Sequence, residues 1–194
     1  MTVTQAVCRL IGKRDRYTVE HSKNVARLMS AFAKYAELST EDITLAYIAG
    51  AVHDVGKISV PDYILNKPGR LTEEEFAEIK NHPIVGANIL AKVPGLEKVA
   101  EIVRYHHEWY NGSGYGAGLS GEEIPFISRM LAVCDSFDAM TTIRCYRQQP
   151  LSNHKALAEI INCAGTQFDP VISRCFVDFI ECCQDYHNRF TFNP

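Results

Sequence analysis

A histidine and an aspartate stand side by side at positions 53 and 54, where an apolar helical run ends. An imidazole beside a carboxylate at the mouth of an apolar segment is costly unless something neutralises and orders both groups, and a divalent metal ion does both. Taken alone the pair is weak evidence, because a His or Asp at a helix end is more often a cap. It indicates a metal site only together with further ligands.

Further side chains of metal-ligating type stand near helix ends or on one face of a predicted helix, namely His21, His82, His106, His107 and Asp135. Seven nitrogen and carboxylate donors exceed the needs of one tetrahedral zinc ion and suit two octahedral ions. Asp54 is the natural bridge, because His53 can reach the first ion while the neighbouring carboxylate spans both. We also expect the adjacent His106 and His107, in the last turn of a helix, to reach one ion.

Each of these side chains also has an ordinary explanation when taken singly. His82 could cap the helix that begins at Pro83, His21 could be a polar residue on an amphipathic helix, and Asp135 could hydrogen-bond a neighbour. Jointly the metal hypothesis is favoured, because only His154 and His187 remain outside the set.

Apolar residues recur at helical spacing along most of the chain, for example over residues 25–32 and 172–180. Thr72 with Glu75 fits a capping box, and Pro83 stands where the first turn of a helix tolerates proline. We predict an all-α fold, a compact single-domain bundle of about seven or eight helices. Irregular stretches over residues 58–71, 111–121 and 144–152 are candidates for loops that carry binding groups.

Composition limits the function further. The 194 residues, 46% of them apolar, suffice for one hydrophobic core, and the net charge of −3 with scattered Lys and Arg argues against duplex nucleic acid as a partner. Seven cysteines without a Cys-x-x-Cys unit indicate reduced thiols. We find neither a transmembrane segment nor a secretory signal in the sequence, and we expect a cytoplasmic protein.

Several motifs in order and at matching spacing resemble those of an HD-GYP domain. They are Tyr17-Thr18-Val19-Glu20-His21-Ser22, His53-Asp54-Val55-Gly56-Lys57, Asn81-His82-Pro83, His106-His107-Glu108, Gly114-Tyr115, Asp135-Ser136-Phe137-Asp138 and Phe168-Asp169-Pro170. The resemblance implies a helical bundle around a two- or three-metal centre that hydrolyses the bacterial second messenger cyclic di-GMP to pGpG and possibly GMP. It assigns residues 17–194 to the domain and leaves residues 1–16 as a lead-in or linker remnant.

The resemblance also implies a ligand set. One ion would be held by His53, Asp54 and Asp135, with His21, and the second by Asp54, His82, His106 and His107. Some members carry a glutamate for a third ion where this chain has Tyr17, so we expect two divalent ions, iron or manganese first, with zinc, nickel or magnesium as alternatives.

The expected reaction is attack of a metal-bridging hydroxide on phosphorus, with Asp54 and Lys57 as the catalytic residues. Lys57, four residues after His53, is positioned to hold a phosphate oxygen. Tyr115 is expected to stack on a base, and Arg144 to bind the other phosphate or a guanine edge. The ordinary alternatives are a surface lysine, a tyrosine that covers the core and a helix-end arginine.

Two departures affect the Gly-rich loop. The usual Asp-Gly and Gly-Tyr-Pro of the family are Asn111-Gly112 and Gly114-Tyr115-Gly116 here, and we expect Gly116 to make the loop more flexible. The alternatives to an efficient enzyme are therefore a low-activity cyclic-dinucleotide receptor and a phosphohydrolase for another cyclic dinucleotide or nucleotide. The resemblance further suggests an upstream sensory, receiver or GGDEF-type domain as partner, and amphipathic terminal helices would permit a homodimer.

Overall fold

A computed structural model describes residues 16–142 and 149–182 of the chain, with side chains from residue 19 onward. The described part contains eight α-helices of eight or more residues, one four-residue helix and two 3-10 turns. In chain order the α-helices are α1 Arg16–Tyr35, α2 Thr40–Val52, α3 Asp62–Leu65, α4 Glu73–Lys80, α5 His82–Leu90, α6 Glu97–Arg104, α7 Phe126–Thr141, α8 Asn153–Asn162 and α9 Pro170–Cys182. The predicted all-α bundle is confirmed, since these residues form no β-strand.

The helix starts follow from local side-chain hydrogen bonds. Ser39 Oγ accepts from the backbone N–H of Asp42 at 3.1 Å and caps α2. Thr72 and Glu75 form the predicted capping box at the start of α4, and the satisfied backbone N–H groups stabilise that helix end. Among the described helices none has the length and apolar character needed to cross a membrane.

Helix α1 lies at the centre of the bundle and packs against α2, α7 and α9. Its buried Phe32 contacts Phe176 edge-on, with ring centroids 5.1 Å apart, and stacks on Phe179 at 5.5 Å. Phe137 of α7 meets Phe176 at 5.2 Å. This aromatic cluster joins three helices by burying large apolar surfaces. It thereby fixes the relative positions of α1 and α7, which also carry buried polar residues.

The turn after α2 lies directly against the start of α5. A 3-10 turn, Val55–Ser59, follows α2, and a Cβ atom added to Gly56 would lie 1.9 Å from the carbonyl oxygen of His82. Only glycine permits this approach. Its consequence is that the end of α2, with His53 and Asp54, stands beside the first residue of α5.

Candidate metal centre

All seven predicted metal ligands come from five separate segments and meet in one region. His21 lies in α1, His53 and Asp54 follow the last residue of α2, His82 is the first residue of α5, and Asp135 lies in α7. The remaining pair, His106 and His107, follows α6. That helix ends at Arg104, so the pair lies in the turn after the helix. The prediction that the pair lies in the last turn of the helix is therefore wrong.

Three of the histidines are held in the same way by the backbone three residues earlier. The Nδ1 atoms of His53, His82 and His106 lie 2.9, 2.8 and 2.6 Å from the carbonyl oxygens of Gly50, Ile79 and Val103. Because a carbonyl oxygen only accepts, each Nδ1 carries the hydrogen and donates it. The Nε2 atoms of these rings therefore present lone pairs.

Those lone pairs are buried and unpaired. His53, His82 and His106 are at most 1% exposed, and their Nε2 atoms have no hydrogen-bond partner among the described residues. A buried polar atom without a partner costs on the order of 1–3 kcal/mol. Three such atoms converging in one place fit a metal ion, which takes neutral imidazole nitrogens as ligands.

The donors form two groups, each with one atom per residue lying within 4.8 Å of the others. One group is His82, His106 and His107, and the other is His21, His53 and Asp54. Within the first group the rings of His82 and His107 have centroids 5.0 Å apart. The two groups correspond to the division of ligands between two ions that the family resemblance implies.

The Asp54 carboxylate lies between the two groups. Its Oδ1 atom is 3.3 Å from His82 Nε2, and its Oδ2 atom is 3.5 Å from His53 Nε2. Lys57 Nζ donates to the same Oδ2 atom at 2.7 Å. One oxygen of this carboxylate thus faces each group, which is the arrangement that a bridging ligand requires.

His21 lies between two carboxylates of α7. Its Nε2 atom is 2.9 Å from Asp135 Oδ1, and its Nδ1 atom is 2.6 Å from Asp138 Oδ2. Asp138 is not among the site residues predicted from the sequence. A signal was present, because residues three apart on a helix share a face and Asp138 follows Asp135 by three.

Burial and the neighbouring charged groups together set the protonation states of the two carboxylates. Burial alone would raise the pKa of Asp54, but Lys57 and the nearby histidine rings outweigh it and hold that pKa well below its ordinary value. Asp135 has the same balance, with its hydrogen bond to His21 as the main cause that lowers its pKa. Both carboxylates are therefore ionised at neutral pH.

The three histidines of the second group, unlike the carboxylates, are uncharged at neutral pH because they are buried. Burial lowers the pKa of His82 to about 4 and that of His107 to about 3, and it holds the pKa of His106 well below the ordinary value. Neutral imidazoles keep the lone pair that a metal ion needs. Ionised carboxylates and neutral imidazoles together are a donor set for divalent cations.

The predicted substrate contacts have different outcomes. Lys57 lies in the 3-10 turn and is ion-paired with Asp54, while its side chain remains 21% exposed. The ring of Tyr115 stacks on His107 at a centroid distance of 4.8 Å and an interplanar angle of 30°. Burial raises the pKa of Tyr115 above its ordinary value. Arg144 lies outside the described residues.

A buried glutamate holds the Gly-rich loop. Oε1 of Glu108, which is 3% exposed, accepts the backbone N–H groups of Ala117 and Gly118, the latter at 2.9 Å. Gly116 adopts φ +144°, and a Cβ atom there would lie 2.8 Å from the same oxygen. Gly116, which replaces the proline usual in the family, thus has a backbone conformation that proline cannot adopt. Glu108 follows the two histidines in the sequence but is not among the site residues predicted from it.

The HD domain family model matches residues 5–172 of the chain. The chain belongs to the HD domain family. This confirms the resemblance to HD-GYP domains, and it fits the metal-ligating clusters described above, since HD-domain phosphohydrolases depend on metal ions.

Two curated relatives are similar in sequence to most of this HD domain. The chain is 40% identical over 168 residues to a cyclic di-GMP phosphodiesterase of Vibrio cholerae, which covers 82% of the chain and 34% of the relative. It is 37% identical over 147 residues to 3'3'-cGAMP-specific phosphodiesterase 1 of the same organism, which covers 76% of the chain and 34% of the relative. The chain thus spans about a third of the length of these relatives.

The fold of the HD domain is shared with the phosphodiesterase PgpH HD domain of L. monocytogenes, solved in complex with cyclic di-AMP. The TM-score is 0.66 with 19% identity, and the match covers 97% of this chain and 99% of that one. At this level of identity the likeness shows the fold alone. The nine α-helices of the described residues are therefore those of an HD-type bundle.

Proposed function

We propose that this HD domain is a metal-dependent phosphodiesterase that hydrolyses cyclic di-GMP to pGpG, and further to GMP, with two divalent ions. The observation that carries the proposal is a group of three buried Nε2 atoms without hydrogen-bond partners among the described residues, two of which, those of His53 and His82, face the ionised carboxylate of Asp54. The relative named a cyclic di-GMP phosphodiesterase, 40% identical to this chain, supports the choice of substrate.

Seven residues would hold the two ions. His21, His53, Asp54 and Asp135 are assigned to the first ion, and Asp54, His82, His106 and His107 to the second. Iron or manganese suits this mixture of imidazole and carboxylate donors, and zinc, nickel and magnesium are the alternatives. When bound, such ions act as Lewis acids on phosphate oxygens and lower the pKa of a coordinated water that serves as the nucleophile.

The protein's own residues position the reacting groups. Asp54 joins the two halves of the centre, because its oxygens face His53 and His82 at 3.5 and 3.3 Å. The Nδ1 hydrogen bonds to backbone carbonyls keep the rings in one orientation and one tautomer. Such preorganised ligands would hold the ions and a bound phosphodiester in one arrangement and so reduce the entropic part of the barrier.

Lys57 is the second residue that we propose as catalytic, after Asp54. Its ammonium lies 2.7 Å from Asp54 Oδ2, directly beside the centre, and its side chain is partly exposed to an arriving ligand. We assign to it the binding of a non-bridging phosphate oxygen, whose negative charge increases in the transition state. Tyr115, stacked on His107, would contact a base of the substrate, and Arg144 stays a prediction for the other phosphate.

A second candidate substrate is 3'3'-cGAMP. The observation that favours it is the 37% identity to a relative named as specific for that dinucleotide. Cyclic di-GMP and 3'3'-cGAMP differ in one base, so the metal centre would treat their phosphodiesters alike. Any discrimination between them must come from side chains that contact the bases.

Turnover by metal-loaded protein tests the proposal. We would purify the chain anaerobically, reconstitute it with Fe(II), Mn(II) or Zn(II), and follow cyclic di-GMP, 3'3'-cGAMP, pGpG and GMP by chromatography. The expected result is cleavage of cyclic di-GMP with at least one metal. Tight binding without product under every metal would instead establish a receptor.

Two variants assign the activity to the proposed centre. Asp54→Ala should abolish both metal retention and cleavage, because it removes the only residue shared by the two ion sites. Asp178→Ala, which changes an exposed carboxylate of α9, is the matched control and should behave like the wild type. Unchanged activity in the Asp54 variant would show that the assigned centre is wrong.

A further inference from the structure

Two exposed side chains of α4 extend the region around His107 outward. Phe76 and Lys80, four residues apart on one face of the helix, contact each other, with Lys80 Nζ 4.7 Å from the Phe76 ring centroid. The same ammonium lies 5.6 Å from the ring centroid of Tyr115. Since Tyr115 stacks on His107, these three side chains form a continuous wall that begins at the metal centre.

The wall is largely exposed, and its ammonium group forms no salt bridge within the described part of the chain. Phe76 is 45% exposed and Lys80 is exposed, while Tyr115 is partly buried. No described carboxylate lies within ion-pair distance of Lys80. Lys80 therefore has N–H donors available for a ligand, and the two rings offer apolar faces beside them.

Aromatic faces beside a cationic donor match the chemistry of a purine base. Bases stack on aromatic side chains, and a lysine donates to the O6 and N7 acceptors of guanine. Adenine has a donor, the N6 amino group, where guanine has O6, so an ammonium discriminates against it at that edge. A cation held over two rings is also fixed in position by their quadrupoles.

We propose that Phe76, Lys80 and Tyr115 form a nucleobase subsite that takes one guanine of the cyclic dinucleotide. This inference rests on the proposed function and deepens it, because it names residues that recognise a base and not only the phosphodiester. Phe76 and Tyr115 provide the stacking surfaces, and Lys80 donates to the Hoogsteen edge of the guanine. The subsite lies beside the second ion site through the contact of Tyr115 with His107.

The variants Phe76→Ala and Lys80→Gln test the subsite in the metal-loaded full chain. Each should raise the KM for cyclic di-GMP by roughly 5- to 50-fold with kcat little changed, because Phe76→Ala removes a stacking surface and Lys80→Gln removes the charged donor to the base. Lys80→Gln should also reduce the preference for cyclic di-GMP over cyclic di-AMP. Hydrolysis of bis(p-nitrophenyl) phosphate, which has no purine, should be unaffected in both variants.

The matched control is Phe126→Ala on α7. Phe126 is 44% exposed and also has a cation near its ring, Arg129 at 5.6 Å, but it belongs to neither ion site. A KM for cyclic di-GMP that rises no more in the Phe76 and Lys80 variants than in this control would overturn the subsite. An equal loss of bis(p-nitrophenyl) phosphate hydrolysis would overturn it as well, because it would show general damage.

Direct binding separates this inference from the proposed function. If the wild type cleaves bis(p-nitrophenyl) phosphate but no cyclic dinucleotide, the proposed activity fails, and calorimetric titration with cyclic di-GMP then decides the subsite. Weaker binding by the Phe76 and Lys80 variants than by the wild type supports it. Equal binding, or no binding by the wild type, overturns it.

Discussion

His21 Nδ1 donates a hydrogen bond to Asp138 Oδ2 at 2.6 Å, and the two residues come from α1 and α7, 117 positions apart in the chain. The Nε2 atom of the same ring faces Asp135 at 2.9 Å. A carboxylate behind a ligating histidine fixes the orientation of the ring and increases its basicity. Asp138 would thus act through His21 on the first ion site that we propose.

Asp138→Asn should weaken metal binding while leaving the fold intact. The amide keeps the shape of the carboxylate but removes the charge that supports His21, so we expect a loss of metal affinity of about 10- to 100-fold. Metal content after dialysis against buffered chelator measures it. Asp178→Asn, an exposed carboxylate on α9, is the control and should retain wild-type metal content. Equal metal content in both variants would contradict the role assigned to Asp138.

Gly56→Ala should destabilise the protein and disturb the centre. The added Cβ atom would lie 1.9 Å from the His82 carbonyl oxygen, so the 3-10 turn and α5 must separate. We expect a loss of roughly 1–3 kcal/mol in the free energy of unfolding and a lower metal content. Chemical denaturation of the metal-free protein measures the first.

The control for that variant is Gly95→Ala. Gly95 has φ +86° but no atom within 4 Å of an added Cβ, so it reports backbone strain without a clash. We expect it to retain metal as the wild type does. A Gly56 variant that binds metal normally would show that the approach of the turn to α5 is not needed for the centre.

The metal-free protein should lose stability as the pH falls from about 6.5 to 4. Burial lowers the pKa of His82 to about 4 in the folded chain, whereas an unfolded histidine titrates near 6.5. Between these values the unfolded state binds more protons, so acid favours unfolding, and the contribution of His82 is on the order of 3 kcal/mol. Above pH 6.5 this residue causes no pH dependence.

Denaturation midpoints across that pH range test the origin of the effect. His82→Leu should make the profile less steep, because the contribution of this buried ring is gone, while His106 and His107, whose pKa values burial also lowers, still contribute. His154→Gln changes an exposed histidine of α8 and should leave the profile as it is. The same steep profile in the Leu variant would assign the effect to other groups.

Gly116→Pro, which restores the residue usual in the family, should impair this protein. Proline requires φ near −65°, whereas Gly116 has φ +144°, and its ring would crowd Glu108 Oε1. We expect a loss of about 1–3 kcal/mol in stability and a higher KM for the cyclic dinucleotide, because Tyr115 precedes this residue. Thermal denaturation and steady-state kinetics measure the two effects.

Asn111→Asp restores the other residue usual in the family and serves as the comparison. The Oδ1 atom of Asn111 accepts from Ser113 N at 2.9 Å and from Ser113 Oγ at 2.7 Å, and an aspartate can accept both bonds. This variant should therefore retain stability and activity. By contrast, a gain of activity in the Gly116→Pro variant would contradict the positive φ of Gly116 as the conformation that the active loop needs.

Lys57→Gln should lower kcat for cyclic di-GMP by about 100-fold and leave the metal content unchanged. The ammonium is assigned to the phosphate oxygen and is not a metal ligand, although it pairs with Asp54, so we expect its loss to affect mainly the transition state. Kinetics of metal-loaded protein, with metal analysis of the same sample, test both halves. Lys92→Gln, at an exposed site, should match the wild type, and loss of metal on Lys57→Gln would make its role structural.

The sequence by itself determined the helices and the types of the ligands. Helical spacing of apolar residues and capping residues such as Ser39 and Thr72 act over a few positions, so local physics sufficed to predict the bundle. The inventory of five histidines and two carboxylates near helix ends indicated metals, because few other roles need those groups in apolar surroundings. Their assignment as ligands remains a prediction, supported by their convergence.

Only the tertiary structure decided which side chains meet. The contact of Asp138 with His21, the hold of Glu108 on the loop and the approach of Lys80 to Tyr115 join segments that are distant in sequence or follow irregular turns. Such contacts depend on helix packing and on close approaches like that of Gly56 to the start of α5. No local pattern encodes them, because the same residue types at the same spacing would serve equally as surface groups if the helices packed differently.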